Sequence, residues 1–135
     1  MKAADDGDST SLARFERVLP FAPQPRSDSR IRLKSGARTL FVRPSQIDWI
    51  EAAGNYSAVR VRDSSFLVRE QLGDLVQRLP SPLMRIHRSI LVNVSRVIEI
   101  RRTSRKTWAV VLVDGKVLPL AAEYREILEE RLLSD

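Results

Sequence analysis

Residues 84–102, Met-Arg-Ile-His-Arg-Ser-Ile-Leu-Val-Asn-Val-Ser-Arg-Val-Ile-Glu-Ile-Arg-Arg, place two opposed demands on one short stretch. Ile86, Ile90, Val92, Val94, Val97, Ile98 and Ile100 require a dry interior, and β-branched residues at this density favour strands. Arg85, His87, Arg88, Arg96, Arg101 and Arg102 require water or an anion. Extended to Lys106, the segment 85–106 holds seven Lys/Arg and a single acid, Glu99. Cations at short intervals on β-forming residues predict a rigid platform that offers positive charge to a polyanion such as a phosphate backbone. A solvated sheet face whose cations only point outward has the same pattern.

The chain's formal charge of +6 is unevenly distributed. Residues 1–29 carry four Lys/Arg against five Asp/Glu, and residues 30–135 carry nineteen against twelve. The last stretch, 123–135, has two bases and five acids, so the positive charge concentrates in 30–122, the part that reads most like sheet. A basic domain with a pI near 10.5 favours a polyanionic partner. With 135 residues, one domain plus a short extension is expected, large enough to bury a core without staples. The lack of cysteine excludes disulfides, thiolate zinc sites and a cysteine nucleophile. No run approaches the ~18 apolar residues of a membrane span. The N-terminus is acidic and has no apolar signal-peptide core, so a cytoplasmic protein that does not engage a membrane is expected.

Two regions emerge. Residues 1–29 comprise an acidic tail, a short helix over 10–19 with Leu12, Phe15 and Leu19 on one face, and a Pro-rich linker. That helix could dock on the domain or pair with a second copy. Residues 30–135 form the folded domain, mainly β with short α-helices. Strands are expected over 30–34, 38–42, 47–52, 56–62, 65–68, 97–103, 106–113 and 116–120, with a Gly54-Asn55 hairpin bend and turns near 87–89 and 93–95. A helix over 69–79 carries the stripe Leu72, Leu75, Val76, Leu79, and a C-terminal helix runs from about 121 to 133.

Enzyme chemistry finds little support. The chain has one histidine, no Gly-rich phosphate loop and no GxSxG. Asp48 and Glu51 lie three apart on one strand, hence on opposite faces, and make a poor acid/base couple. Nothing nearby in sequence orients His87 toward Ser89 as a catalytic pair requires. No catalytic residue, metal or cofactor is expected.

Four stretches, in order, resemble the LytTR family of bacterial DNA-binding domains, the LytR/AgrA-type response-regulator output domain. Met84–Val94 is similar to the family's central motif. Asp48–Tyr56 resembles its Gly-Asn-Tyr stretch, Arg69–Leu75 its first helix, and Gly115–Tyr124 the start of its last helix. The resemblance spans about residues 30–133. It implies an elongated, mostly β fold whose loops, rather than a recognition helix, occupy successive major grooves of double-stranded DNA. Carried over by position, base contacts fall on Asn55, Tyr56, His87 and Arg88, and a third contact region on Ala121–Ala122.

The residue chemistry fits the first two places. Asn55 has the donor and acceptor that adenine recognition needs, and Arg88 can fork onto guanine. Asn55 would equally suit a turn that needs a left-handed residue, and His87 a structural hydrogen bond. Arg85, Arg101, Arg102, Arg105, Lys106 and Arg125 are assigned to phosphates, which position without reading sequence. Ser89 and Asn93 look structural, satisfying turn backbone groups. At the third place the chain departs from the family's Ser-Arg/Lys: it has Ala121-Ala122, then acidic Glu123, with Arg125 one turn on.

The expected function is sequence-specific DNA binding as the output domain of a transcription regulator in a two-component or sensor system. The resemblance implies imperfect direct repeats as target, with a homodimer forming on DNA or through the 10–19 helix. Twenty-nine residues cannot hold the receiver that family members commonly carry ahead of this domain, which leaves an excised output domain or a stand-alone regulator. A protein-interaction module on the same scaffold, without DNA binding, is the competing expectation. RNA binding ranks last, because the chain's few aromatics sit mostly in apolar patterns.

Overall fold

In the computed structural model, which describes residues 28–134, alternating burial is met by two cores on either side of one sheet. The expected 10–19 helix and nearly all of the Pro-rich linker lie outside the described residues. Strands β1 (Ile31–Ser35) and β2 (Arg38–Val42) form an antiparallel hairpin, closed at Gly36, whose φ of +62° is the left-handed region glycine adopts without strain. A 3-10 turn, Pro44–Gln46, leads into the meander β3 (Trp49–Ala53), β4 (Tyr56–Val61) and β5 (Ser64–Val68). Helix α1 (Leu72–Arg78) follows, then the hairpin β6 (Leu83–His87) and β7 (Ile90–Asn93). A second 3-10 turn, Val94–Arg96, leads into β8 (Val97–Arg102), β9 (Trp108–Leu112) and β10 (Val117–Leu120), and α2 (Ala122–Ser134) closes the domain.

The central antiparallel sheet has the order β5-β4-β3-β7-β6, and β8–β10 form a separate three-stranded sheet. Helix α1 and the β1–β2 hairpin cover one face of the central sheet. There Leu33, Leu72, Leu75 and Leu79 pack on Ile50, Val59, Val68 and Leu91. The β8–β10 sheet and α2 cover the β6–β7 part of the other face, where Val110, Leu112, Leu120 and Leu128 pack on Met84, Ile86, Ile90 and Val92. Strand β7 serves both cores: Ile90 and Val92 point one way, Leu91 the other, and all are buried. A strand covered on both faces reads as a continuous apolar run, which explains why Ile-Leu-Val shows no polar alternation.

Several expectations shift. The first helix starts at Leu72, not residue 69, and leaves Arg69 in the bend just after β5. Ile98, expected in the core, is 63% exposed, because the β8–β9 register slips between Val97 and Glu99 and turns the intervening residue outward. Arg96, expected as an outward cation, is half-buried, with Nε 3.1 Å from Asp48 Oδ1 and Nη2 3.4 Å from the Ser45 carbonyl. That Nε makes no aligned hydrogen bond, so the contact is an ion pair by proximity only. Asn93 is fully buried, as a structural role requires. Its amide donates to the Ser45 and Ile47 carbonyls, and its Oδ1 accepts from the Ser95 backbone and hydroxyl.

Candidate nucleic-acid interface

Strand pairing brings sequence-distant turns to one end of the domain. The β3–β4 tip, Gly54-Asn55, and the β6–β7 tip, Arg88-Ser89, lie side by side. Glu51 pairs with Ile90, and the Ala52 amide donates to the Ser89 carbonyl at 2.8 Å. On the other flank of β6, the Ala121 amide donates to the Ile86 carbonyl at 2.8 Å and docks the start of α2 one residue from His87. Trp108 pairs with both Leu120 and Arg102, which sets the β8–β9 hairpin, residues 103–107, beside that start. All three expected contact regions therefore share one end, together with the hairpin that carries Arg105 and Lys106.

At the first tip the left-handed residue is Gly54, with φ +66°. Among the described residues Arg62 is the one non-glycine with positive φ, so Asn55 is not chosen for a left-handed backbone. Its side chain is exposed, and Oδ1 accepts from Gln71 Nε2 at 3.0 Å, which leaves the amide NH₂ as the outward donor. Tyr56 beside it is 36% exposed.

At the second tip His87 is half-buried. Its Nδ1 lies 2.9 Å from Ser89 Oγ and accepts the Ser89 backbone N–H at 3.2 Å. A nitrogen that accepts a backbone N–H carries no proton, so the hydrogen bonds assign the ring proton to Nε2 and make the Ser89 hydroxyl a second donor. Ser89 thus orients the imidazole, which sequence reasoning did not foresee. The serine and the imidazole together close the turn. Arg88 is exposed at the tip.

Arg85 folds back on this turn: Nε donates to the His87 carbonyl at 3.3 Å and Nη2 to the Arg88 carbonyl at 2.7 Å. The same device recurs on β8, where Arg102 Nε donates to the Ser104 carbonyl at 3.2 Å and Nη2 to the Arg105 carbonyl at 2.7 Å. Each Arg-x-x-Arg sequence is therefore a clamp: the first guanidinium grips the backbone that presents the second arginine. The clamp uses two of the five guanidinium N–H groups. The repeated spacing of Arg85/Arg88 and Arg102/Arg105 was the available signal.

Trp108, unnoticed in the sequence, organises the cations on that side. Arg125 Cζ lies 4.6 Å and Arg102 Cζ 5.6 Å from its ring centroid. Arg125 is also held by Glu129 at 3.0 Å, and Arg101 by both Glu99 oxygens at 3.0 and 3.1 Å. The hydrogen bonds and charge of Arg101 hold the Glu99 carboxyl below its ordinary range, so this pair stays ionised at neutral pH. Ala122 and Glu123 are exposed at the start of α2.

The β scaffold thus gathers guanidinium, imidazole and amide groups on turns at one end of the domain. The chain belongs to the LytTr DNA-binding domain family, whose pattern matches residues 37–133. The sensory transduction protein LytT of Bacillus subtilis is 26% identical over 104 residues, 76% of this chain and 43% of that protein. The sensory transduction protein LytT of Enterococcus faecalis is 25% identical over 109 residues, 80% of this chain and 45% of its own length. The chain thus spans under half the length of these curated relatives. A solved LytTr DNA-binding domain of a response regulator from Bacillus cereus superposes with a TM-score of 0.65 at 23% identity, covering 79% of this chain and 98% of that one. The mainly β fold with a C-terminal helix is the fold of that structure. Among the described residues no helix is long and apolar enough to cross a membrane.

Proposed function

We propose that the domain binds double-stranded DNA sequence-specifically by inserting its clustered turns into the major groove, as the cytoplasmic output domain of a bacterial transcription regulator in a two-component or sensor system. The observation that carries this reading is the convergence of the Asn55, His87–Arg88 and α2-start segments at one end of a rigid sheet. Asn55 offers its amide to adenine, Arg88 forks onto guanine O6 and N7, His87 donates from Nε2 to a base acceptor, and Tyr56 packs at the contact. Arg101, Arg105, Lys106 and Arg125 meet phosphate, as do the remaining N–H groups of Arg85 and Arg102. Two copies occupy imperfect direct repeats.

Selection of bound duplexes from a random pool, followed by a salt titration, tests the proposal. A single enriched motif is expected, with log K falling against log salt by about 0.9 for each cation on phosphate, so that the six named here alone contribute roughly 5 to 6. The exposed Ala122 and acidic Glu123, where the family's pattern has Ser-Arg/Lys, favour a second reading: a protein-interaction module that has lost DNA binding. No enriched motif together with a flat salt response would select that reading instead.

A further inference from the structure

Beyond the turns already described, a second basic surface continues the same end of the domain on the opposite flank. Val68 pairs with Ser57, so the end of β5 stands beside the start of β4 at Tyr56. The Arg69 amide lies 3.4 Å from the Lys34 carbonyl, and Ser35 Oγ donates to the Leu67 carbonyl at 2.8 Å, which fixes the end of β1 against the end of β5. Lys34, Gly36, Tyr56 and Arg69 line a groove of about 330 Å³. It adjoins a second hollow of about 440 Å³ that shares Lys34 and Arg69 and adds Arg32, Glu70 and Arg78.

Among the described residues the charge of this surface is not cancelled internally. Glu70, the acid that lines it, is committed to Arg78 by bonds of 2.9 and 3.0 Å, and Arg78 is further tied to the Arg32 carbonyl at 2.8 Å. Among the described residues neither Lys34 nor Arg69 has a carboxylate within ion-pairing distance. Among the described residues, two cations without a carboxylate partner therefore border a groove that Tyr56, one residue from Asn55, also lines.

We infer that Lys34 and Arg69, with the Tyr56 side chain as a wall, form a phosphodiester-binding subsite that grips the DNA backbone outside the base pairs read by the turns. The inference rests on the reading under Proposed function and extends it. Cations then flank the reading turns on both sides: Arg102, Arg105, Lys106 and Arg125 around Trp108 on one, Lys34 and Arg69 on the other. Adjacent strands are ~4.8 Å apart, so the steps from β6 to β5 across the sheet span roughly 19 Å. At one charge per ~1.7 Å of duplex axis, that distance passes many phosphates, so the subsite engages backbone beyond the turns' footprint. Phosphate contacts here add affinity and register without sequence preference.

The experiment pairs Lys34→Ala/Arg69→Ala with the unaltered protein on the selected duplex and on versions trimmed one base pair at a time from each flank. For the unaltered protein, trimming one flank should weaken binding. The double variant should already be weak on the full duplex, lose nothing further on that trim, and show a salt slope shallower by about 2. Both positions border solvent, and equal unfolding midpoints check the fold. Lys34→Gln, a milder change, should give half the slope change, and Lys34→Arg none. An unaltered protein with a steep salt slope, and a double variant with the same slope and the same trimming profile, would overturn the subsite alone. An unaltered protein without sequence preference or salt dependence would overturn the functional reading beneath it.

Discussion

At the scale of single residues, arginines of one composition do three jobs. Arg85 and Arg102 clamp turns, Arg96 leans on Asp48 inside the fold, and Arg88 and Arg105 project. A clamp needs a planar fork with two separated donors, which lysine lacks. Arg85→Lys should therefore keep the charge yet loosen the Arg88 turn: binding to the selected motif weakens more than binding to random duplexes, as competition titrations would show. Arg88→Ala should lose on the order of 1–3 kcal/mol on the selected motif and relax preference at one base position. Equal losses on random DNA would remove its reading role. Glu99 is a third case, because its carboxylate competes with phosphate for Arg101. Its carboxyl titrates below the ordinary range, so the pair persists until pH falls through that lowered value. Glu99→Gln at neutral pH should remove that competitor and strengthen binding to selected and random duplexes alike, as parallel titrations would show.

At the scale of elements, much was legible in the sequence. The Leu72/Leu75/Leu79 stripe is buried, and the Gly54-Asn55 and Arg88-Ser89 turns fall where turn chemistry placed them. Period and punctuation are local properties, so one sequence reveals them. The misses are non-local. The bulge that expels Ile98 depends on β9, and the burial of Arg96 depends on Asp48, forty-eight residues upstream in the chain's numbering from Arg96 itself. Trp108 reads as one more apolar strand residue until β8 and α2 bring two guanidinium groups over it. Among the candidate site residues, the chemistry of Asn55 and Arg88 was legible, but the resemblance supplied their grouping. Helix α2 rests on fully buried Leu128, flanked by half-buried Tyr124 and Leu132, while Ile127 and Leu133 stay exposed. Leu128→Ala should cost about 2–5 kcal/mol in denaturant unfolding and disturb the Arg125–Trp108 contact with it.

At the scale of the whole molecule, the described domain sorts its functions by end. The turns at one end carry the projecting cations, and the Asp48–Arg96 pair and the buried Asn93 network tie the segment that enters β3 to the segment that leaves β7 at the other. The two cores meet at β7, which gives Ile90 and Val92 to one and Leu91 to the other. Neither layer can peel away without wetting the strand that completes its neighbour. Amide hydrogens of Leu91 and Val92 should therefore exchange at the rate of global unfolding, slower than those of the β1–β2 hairpin, in a native-state exchange series. Because β7 begins one residue after Ser89, the Arg88 turn hangs from the least yielding part of the protein. Its geometry is set before any duplex arrives, and association forgoes most of the ordering entropy that a floppy loop would surrender.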